Sequence, residues 1–286
     1  MLFLAARQRG HDAHLFRKAS EVDAEGGFLF YRMEQQNMGD QRPDNLCLLD
    51  RPGIIGIVKR EAVLEYENKV YQCKKFPTFV PQSILVNKEI NAEKVARVLG
   101  FPFVSKSRSG SGSAAVRIIP DMLTALQEAE IVFNRGLHVA REVQEGYLLW
   151  QKFLTGNDYS YRVVRIGSYY WMLRVFNRKH TPLASGSGSY EPVIPRSNEE
   201  FDVLDKAVKF FDAADTRWCG IDLLRDPSDG DWRVLETTLA WDMQKRGSNA
   251  DCQVFDKDGV LTEPAWIGAH QFEILLNELE RGVFDG

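Results

Sequence analysis

The apolar positions of this chain change period repeatedly, from spacings of three and four that mark a helix face to the alternation or short solid runs that mark strands. Met1 to Arg9 predicts a short helix closed by Gly10, His14 to Phe16 a brief strand, and Gly27 to Met33 a second apolar run. After Pro52-Gly53, a strand over Ile54 to Val58 leads into a helix around Ala62 to Tyr66. Together these read as a small α/β unit that begins on a helix, where such units usually begin on a strand. Pro77 and Pro81 mark a boundary after it.

Asn91 caps a helix to Leu99 that sets Val95, Val98 and Leu99 on one face, with Gly100 behind it. A strand with Phe101, Phe103 and Val104 follows, then a Ser/Gly tract, a second strand, and a helix from Pro120-Asp121 through Ile131. That order makes a compact α+β lobe. Tyr147 to Leu154 is a dense apolar run broken by Gln151 and Lys152 and ended by Gly156-Asn157. Tyr159 to Ile166 and Tyr169 to Phe176 are β-rich and joined by Gly167-Ser168, a two-residue hairpin signal. Past a polar segment, Ala184 to Ser189, an amphipathic helix sets Phe201, Leu204, Val208 and Phe211 on one face. Strands from Trp218 and Trp232 flank a turn over Asp226 to Gly230, and a last helix turns Phe272, Leu275, Leu276 and Leu279 to the core.

With 286 residues, 44% of them hydrophobic, the chain can bury a large core as one domain or as two to three intimate subdomains. A net charge of −4 offers no general basic footprint for nucleic acid, so a bound polyanion should be small and locally held. No apolar run reaches about eighteen residues, and the N-terminus turns polar too early for a signal peptide, which predicts a cytoplasmic protein without a membrane partner. Cys47, Cys73, Cys219 and Cys252 are scattered without CxxC spacing and read as reduced thiols rather than a disulfide framework or a zinc site.

Two stretches carry chemistry. In FPFVSKSRSGSGSAAV, Phe101 to Val116, a lysine ends an apolar strand and a Gly/Ser loop follows, so Lys106 offers a fixed cation and Ser107 to Ser113 offer unobstructed backbone N–H groups. This suits a polyphosphate; the same composition also suits a flexible linker. Downstream, a hairpin symmetric about Asp229 would set Asp222 opposite Glu236 and Gly220 opposite Thr238 on one face, with Ile221, Leu223 and Leu235 supplying apolar packing on the other. Opposed residues have Cβ atoms roughly 4.5–5.5 Å apart, so two anions there repel unless a cation lies between them. With no lysine or arginine aligned between them on the hairpin, the pair suggests Mg²⁺ or Mn²⁺. A solvated face with coincidental acids is the alternative, since a register shift of one residue would scatter the geometry.

From about Glu61 to Met243 the sequence resembles the ATP-grasp superfamily, most closely its RimK-like and glutathione-synthetase-like carboxylate–amine ligases. Four segments carry the resemblance in family order. ENKVYQCKKFPTFVPQS is similar to the first lysine segment, FPFVSKSRSGSGSAAV to the second lysine and glycine loop, LLWQKFLTGNDYSYRVVRIG to the hinge and following strands, and GIDLL with VLETT to the metal-ligand strands.

The resemblance implies an α/β (α+β) ATP-grasp fold in which two α+β lobes sandwich ATP. Residues 1–68 would be a shortened N-terminal α/β unit, 69–150 the small lobe with the glycine loop, and 151–286 the large lobe with hinge, metal site and last helix. It implies that Lys69 and Lys106 contact the phosphates, with Gly110, Ser111 and Gly112 over the β and γ groups. Adenine would lie against Gln151, Lys152, Phe153 and Leu154, read by backbone groups of Lys152 and Leu154, with Asp158 nearest the ribose. Arg162 and Arg174 would neutralise the transferred phosphate and the acyl phosphate, and Asp222 and Glu236 would bind Mg²⁺ with Thr238 as a weaker hydroxyl ligand.

The implied activity is ATP- and Mg-dependent joining of a carboxylate to an amine or thiol through an acyl phosphate, giving ADP and phosphate. Substrates would be small molecules or peptides, with no nucleic acid or membrane partner, and a homodimer is the common default for such enzymes. The chain departs from the family at Ser113 and Ala115 in the loop, at Lys152 where a Glu is usual, at Thr238 where an Asn is usual, and over Leu239 to Asp242. These departures also suit a nucleotide-binding structural or regulatory protein without turnover, and a kinase-like use of the fold is a third reading. His180 reads as a surface loop residue rather than a general base.

Overall fold

The computed structural model describes residues 2–15, 21–22, 25–29, 47–65, 68–108, 116–139, 142–177, 189–239, 253–266 and 271–284. At the N-terminus come α1 (Leu2–Gln8), β1 (Gly27–Leu29), a 3₁₀ turn over Cys47–Asp50, β2 (Ile54–Gly56) and α2 (Arg60–Glu65). β1 and β2 pair in parallel, Gly27 opposite Ile54, over a small core of Leu29 and Leu48. His14 and Leu15 form no strand, and the strand predicted to reach Met33 is described only to Leu29.

The next segment runs α3 (Lys69–Lys75), β3 (Ser83–Val86), α4 (Ala92–Leu99), β4 (Phe103–Lys106), β5 (Val116–Ile119), α5 (Met122–Asn134), β6 (Leu137–Val139), β7 (Glu142–Gln144) and β8 (Leu148–Lys152). Asn91 and Asp121 cap α4 and α5 by accepting the N–H groups of Lys94 and Thr124 at 2.9 and 2.8 Å. Four strands form an antiparallel sheet in the order β3-β8-β4-β5. Val95 and Ala96 of α4 and Ala125, Ala129 and Val132 of α5 pack on Phe103, Ile119 and Trp150. Side chains alternate along β4, so Val104 and Lys106 turn to the sheet's other face.

The larger sheet is built from β9 (Tyr159–Ile166), β10 (Tyr169–Phe176), β11 (Tyr190–Val193), β12 (Trp218–Arg225), β13 (Trp232–Thr238), β14 (Gln253–Phe255) and β15 (Leu261–Trp266), with α6 (Asn198–Ala213) and α7 (Gln271–Glu280). Its order is β13-β12-β9-β10-β14-β15, with β11 also beside β10. On one face α6 packs Val203, Leu204, Ala207, Phe210 and Phe211 against Tyr161, Val163, Met172, Ile221 and Leu223. On the other, α7 packs Ile274 and Leu275 against Val164, Ile166, Trp171 and Trp218. Arg9, just past α1, donates to Asn277 at 2.7 Å and pairs with Glu273, fastening the N-terminal unit to α7.

Two expectations are corrected here. Phe201, assigned to the buried face of α6, is 42% exposed and lies against Gly259, where an added Cβ would meet its ring at 2.8 Å. The buried stripe instead follows Val203, Leu204, Ala207, Phe210 and Phe211, because Glu200 is drawn inward by Arg174 and by the helix cap. The division at 150/151 falls inside β8, and Phe76 and Phe79 pack edge-on to Phe210 at 5.0 and 5.5 Å, which joins the segment after α3 to the larger sheet. Among the described residues no helix is long and apolar enough to cross a membrane.

The start of α6 is fixed by a capping box, with Ser197 Oγ accepting the Glu200 N–H at 3.3 Å and Glu200 Oε2 accepting the Ser197 N–H at 3.0 Å. Ser197→Ala is expected to lower unfolding free energy by about 1 kcal/mol in urea titrations. An unchanged urea midpoint would mean that the Arg174–Glu200 pair alone sets the helix start.

Candidate functional site

β12 and β13 pair with Gly220 opposite Thr238 and Asp222 opposite Glu236. The register slips by one residue between Asp222 and Leu223, so Leu223 faces Val234 and Arg225 faces Trp232. The hairpin is therefore not symmetric about Asp229, and Leu235 is the extra residue of a β-bulge. The register set by the turn would otherwise put Asp222 opposite Leu235 and send Glu236 to the other face.

β9 lies on the far side of β12 and sets Arg162 opposite Asp222, so Arg162, Asp222 and Glu236 form one row across three strands. Arg162 donates from Nε and Nη2 to the two Asp222 oxygens at 2.7 and 2.8 Å. The Asp222 charge raises the arginine's pKa against the opposing effect of burial. The hairpin itself places no base between the two acids, and the neighbouring strand β9 supplies Arg162 beside Asp222.

Two lysines face this row. Lys69, buried at the start of α3, holds its ammonium 3.5 Å from Glu236 Oε2. Lys106, buried at the end of β4, donates at 3.4 Å to the carbonyl of the bulge residue Leu235. Burial pushes Lys106 down to about 8, aided by the charge of Lys69 and opposed by Cys73, Glu236 and Asp222. α3 also stitches the sheets together, since the Lys69 N–H donates to the Arg108 carbonyl at 3.0 Å and Gln72 Nε2 to Thr237 Oγ1 at 2.7 Å.

The segment from Gln151 to Asp158 runs between the sheets, and the side chains of Gln151, Lys152 and Asn157 are engaged in holding it. Gln151 donates to Ser83 Oγ at 2.7 Å. The Lys152 N–H donates to the Gln82 carbonyl at 2.8 Å, and its ammonium to Asp226 at 2.8 and 3.1 Å and to Ser228 Oγ at 2.6 Å. Asn157 donates to the Leu154 and Arg225 carbonyls at 3.2 and 3.0 Å. Phe153 is half-buried, Leu154 buried and Asp158 exposed. Asp226, missed in the sequence because its partner is distant along the chain, is the residue that fixes Lys152.

Arg174 is not brought to the row. Arg162 faces Leu173, which puts Arg174 on the opposite face of the sheet. There it donates to Tyr161 Oη at 3.0 Å, Glu200 Oε1 at 2.6 Å and Glu191 Oε2 at 3.2 Å. The role that the resemblance gave it is corrected: Arg174 holds α6 and β11 against β10. Gly110, Ser111, Gly112, Ser113, Ala115 and His180 lie outside the described residues.

Among the described residues no group of three or more His, Cys, Asp or Glu side chains gathers to hold a metal ion. What the chain offers is two carboxylates in register, with Thr238 on their face. This set fits a Mg²⁺ ion that takes its other oxygens from a polyphosphate rather than one caged by protein.

No protein-family model and no curated protein matches the chain in sequence. Solved structures match it in fold. A D-alanine–D-alanine ligase from Bacillus anthracis complexed with ATP superposes with a TM-score of 0.59 at 14% identity, covering 93% of this chain and 80% of that one. A RimK domain ATP-grasp protein from Sphaerobacter thermophilus gives 0.57 at 16% identity, covering 83% and 85%. The ATP-grasp ligase PsnB complexed with minimal precursor gives 0.55 at 17% identity, covering 84% and 86%. What is shared is the architecture of two α+β lobes.

Burial would raise the Asp226 pKa, but hydrogen bonds from Lys152 and Ser228 outweigh it and hold the carboxyl at about 2. Because this lies below the ordinary value of 3.8, the stabilisation is complete above about pH 4 and is lost as pH falls through about 2. Lys152→Met is expected to cost about 2 kcal/mol at pH 7, with the deficit shrinking toward pH 2 in urea unfolding. An equal deficit at both pH values would reject the assignment.

Proposed function

We propose that this chain, which has the ATP-grasp fold, binds Mg-ATP between its two sheets and uses it to join a carboxylate to an amine or thiol. The observation that carries this reading is the row of Arg162, Asp222 and Glu236 facing two buried lysines, Lys69 and Lys106. Three cations and two carboxylates converge there, which favours an anionic ligand. Phosphoryl transfer depends on in-line positioning and on neutralising charge spread over phosphate oxygens. Side chains of this kind supply both without a covalent nucleophile.

In this reading Lys69 and Lys106 hold the β and γ phosphates. Asp222 and Glu236 would hold Mg²⁺, which when bound would neutralise phosphate charge. Arg162 turns from Asp222 toward the transferred group. A substrate carboxylate oxygen attacks the γ phosphorus, and the bond to the ADP oxygen breaks. An amine or thiol then adds to the acyl carbon of the resulting acyl phosphate, phosphate departs with the bonding pair, and the nucleophile loses a proton. The base would rest on the segment from Gln151 to Leu154 through backbone groups and Phe153, since the Gln151 and Lys152 side chains are engaged elsewhere. A peptide acid belongs within the substrate class by analogy with a RiPP-associated ATP-grasp ligase from Chryseobacterium gregarium, which was complexed with ADP and a leader and core peptide.

A nucleotide-binding protein without turnover is the second reading, favoured by the engagement of both Asp222 oxygens with Arg162. ADP release over a panel of amino acids and short peptides, with mass spectrometry of products, separates the two. Amide or thioester formation supports the first; ADP binding with no ATP consumption by any candidate sinks it, and a phosphorylated product without ligation indicates kinase chemistry. Asp222→Asn, Glu236→Gln and Arg162→Met are each expected to cut turnover by about a hundredfold or more. Arg174→Met should leave turnover within a few-fold while lowering the thermal midpoint.

The folded pKa of Lys106 lies below its ordinary value of 10.5, so the cost of burying the charge is fully present below about pH 8 and is relieved as pH rises toward the ordinary value. A bound phosphate favours the protonated form. Mg-ADP affinity should therefore fall as pH rises through about 8, and Lys106→Met should bind more weakly with a flatter profile in calorimetric titrations. A profile unaltered by that substitution would remove Lys106 from the phosphate site.

A further inference from the structure

The backbone beneath the two lysines is held by buried and half-buried side chains from the smaller sheet, α5 and the β7–β8 segment. Gln144, fully buried at the end of β7, donates from Nε2 to the carbonyls of Lys106 at 3.4 Å and Tyr147 at 3.2 Å. Its Oε1 accepts from Arg117 Nη2 at 2.8 Å. Arg117 also donates to Ser105 Oγ at 3.1 Å and to Glu128 Oε1 at 2.6 Å, and the other Glu128 oxygen accepts the Trp150 indole N–H at 3.0 Å. The Tyr147 hydroxyl accepts the Arg108 N–H at 2.7 Å, and the Arg108 carbonyl accepts the Lys69 N–H at 3.0 Å. Hydrogen bonds thus run without a break from Glu128 through Arg117 and Gln144 to the backbone of Lys106, and through Tyr147 and Arg108 to that of Lys69.

We propose that Gln144 and Tyr147 are positioning residues that aim Lys106 and Lys69, an inference that rests on reading those lysines as phosphate ligands. A lysine ammonium is a point charge on a flexible stem, so its aim depends on where its own backbone is held. The β4 ladder ends at Lys106, opposite Val116 and Leu149, two residues short of Arg108. Gln144 meets the carbonyl of Lys106, the ladder's last residue, and Tyr147 meets the Arg108 N–H. A largely buried Arg–Glu pair such as Arg117 with Glu128 is a poor device for stability alone, since apolar residues of similar volume often do as well or better. Here Arg117 orients the Gln144 amide so that its N–H groups meet the two carbonyls.

The test uses the full chain with Tyr147→Phe and Gln144→Glu. The first removes only the hydroxyl that accepts from Arg108; the second keeps an acceptor for Arg117 but loses the donor to Lys106. Calorimetry with ADP and with adenosine, the thermal midpoint, and the rate of tryptic cleavage after exposed Arg108 are measured together. ADP affinity is expected to fall about tenfold in each variant, with adenosine affinity unchanged and cleavage after Arg108 accelerated. In Tyr147→Phe, unchanged ADP affinity and cleavage, or an equal loss for ADP and adenosine, would overturn the proposal; this variant decides if Gln144→Glu does not fold. If the wild-type chain binds neither ligand, the nucleotide reading fails by itself, and the cleavage rate of Tyr147→Phe still decides whether Tyr147 holds the Arg108 backbone.

Discussion

An extra residue in β13 sets Glu236 on the face of Asp222 and gives Lys106 its partner in the cleft. The turn from Asp226 to Gly230 sets a register that would bury Glu236 against α6, and the bulge at Leu235 restores it to the face of Asp222. The same irregularity frees the Leu235 carbonyl from the ladder and gives the Lys106 ammonium a partner. One departure from regular pairing thereby brings the acid pair and a buried lysine from another sheet into the same small volume. Remove it, and Lys106 would be buried without a partner while Glu236 would press against apolar neighbours, a double electrostatic cost.

The charges alternate closely enough to be tolerated. Lys69 faces Glu236, Arg162 faces Asp222, and Lys106 donates to a neutral carbonyl while burial weakens its hold on a proton. The two acid–base pairs cancel, and the remaining positive charge sits at the base of the Ser/Gly tract. Attraction for an anion therefore concentrates at the end of β4 rather than spreading over a chain whose net charge is negative.

Local signals in the sequence were sufficient for much of this. The cap at Asn91, the helix start at Pro120-Asp121 and the hairpin at Gly167-Ser168 need only neighbouring residues, and all three occur as read. That hairpin already carried the information that excludes Arg174: a two-residue turn pairs Ile166 with Tyr169, so Arg162 must face Leu173 and Arg174 must point away. Motif order grouped the two arginines, whereas strand parity separates them. Phe201 was misread because two stripes of α6 are comparably apolar, and the capping box with Arg174 decides between them. β3, β6, β7 and β14 are three or four residues long, too short for alternation to register. The Asp222–Arg162 and Lys152–Asp226 pairs join residues far apart in sequence and depend on sheet order, which no single-segment pattern encodes.

The fastening of Lys152 to Asp226 and Ser228 has a mechanical consequence. It ties the smaller sheet to the larger one at the corner where β8 leaves its sheet and meets the hairpin turn. Phe103 lies beside that corner, opposite Lys152, while Lys106 lies three residues farther along the strand, about 10 Å away. With the corner as pivot, the strand is a lever: a rotation of about 10° between the sheets would shift Phe103 little and carry the Lys106 backbone through nearly 2 Å.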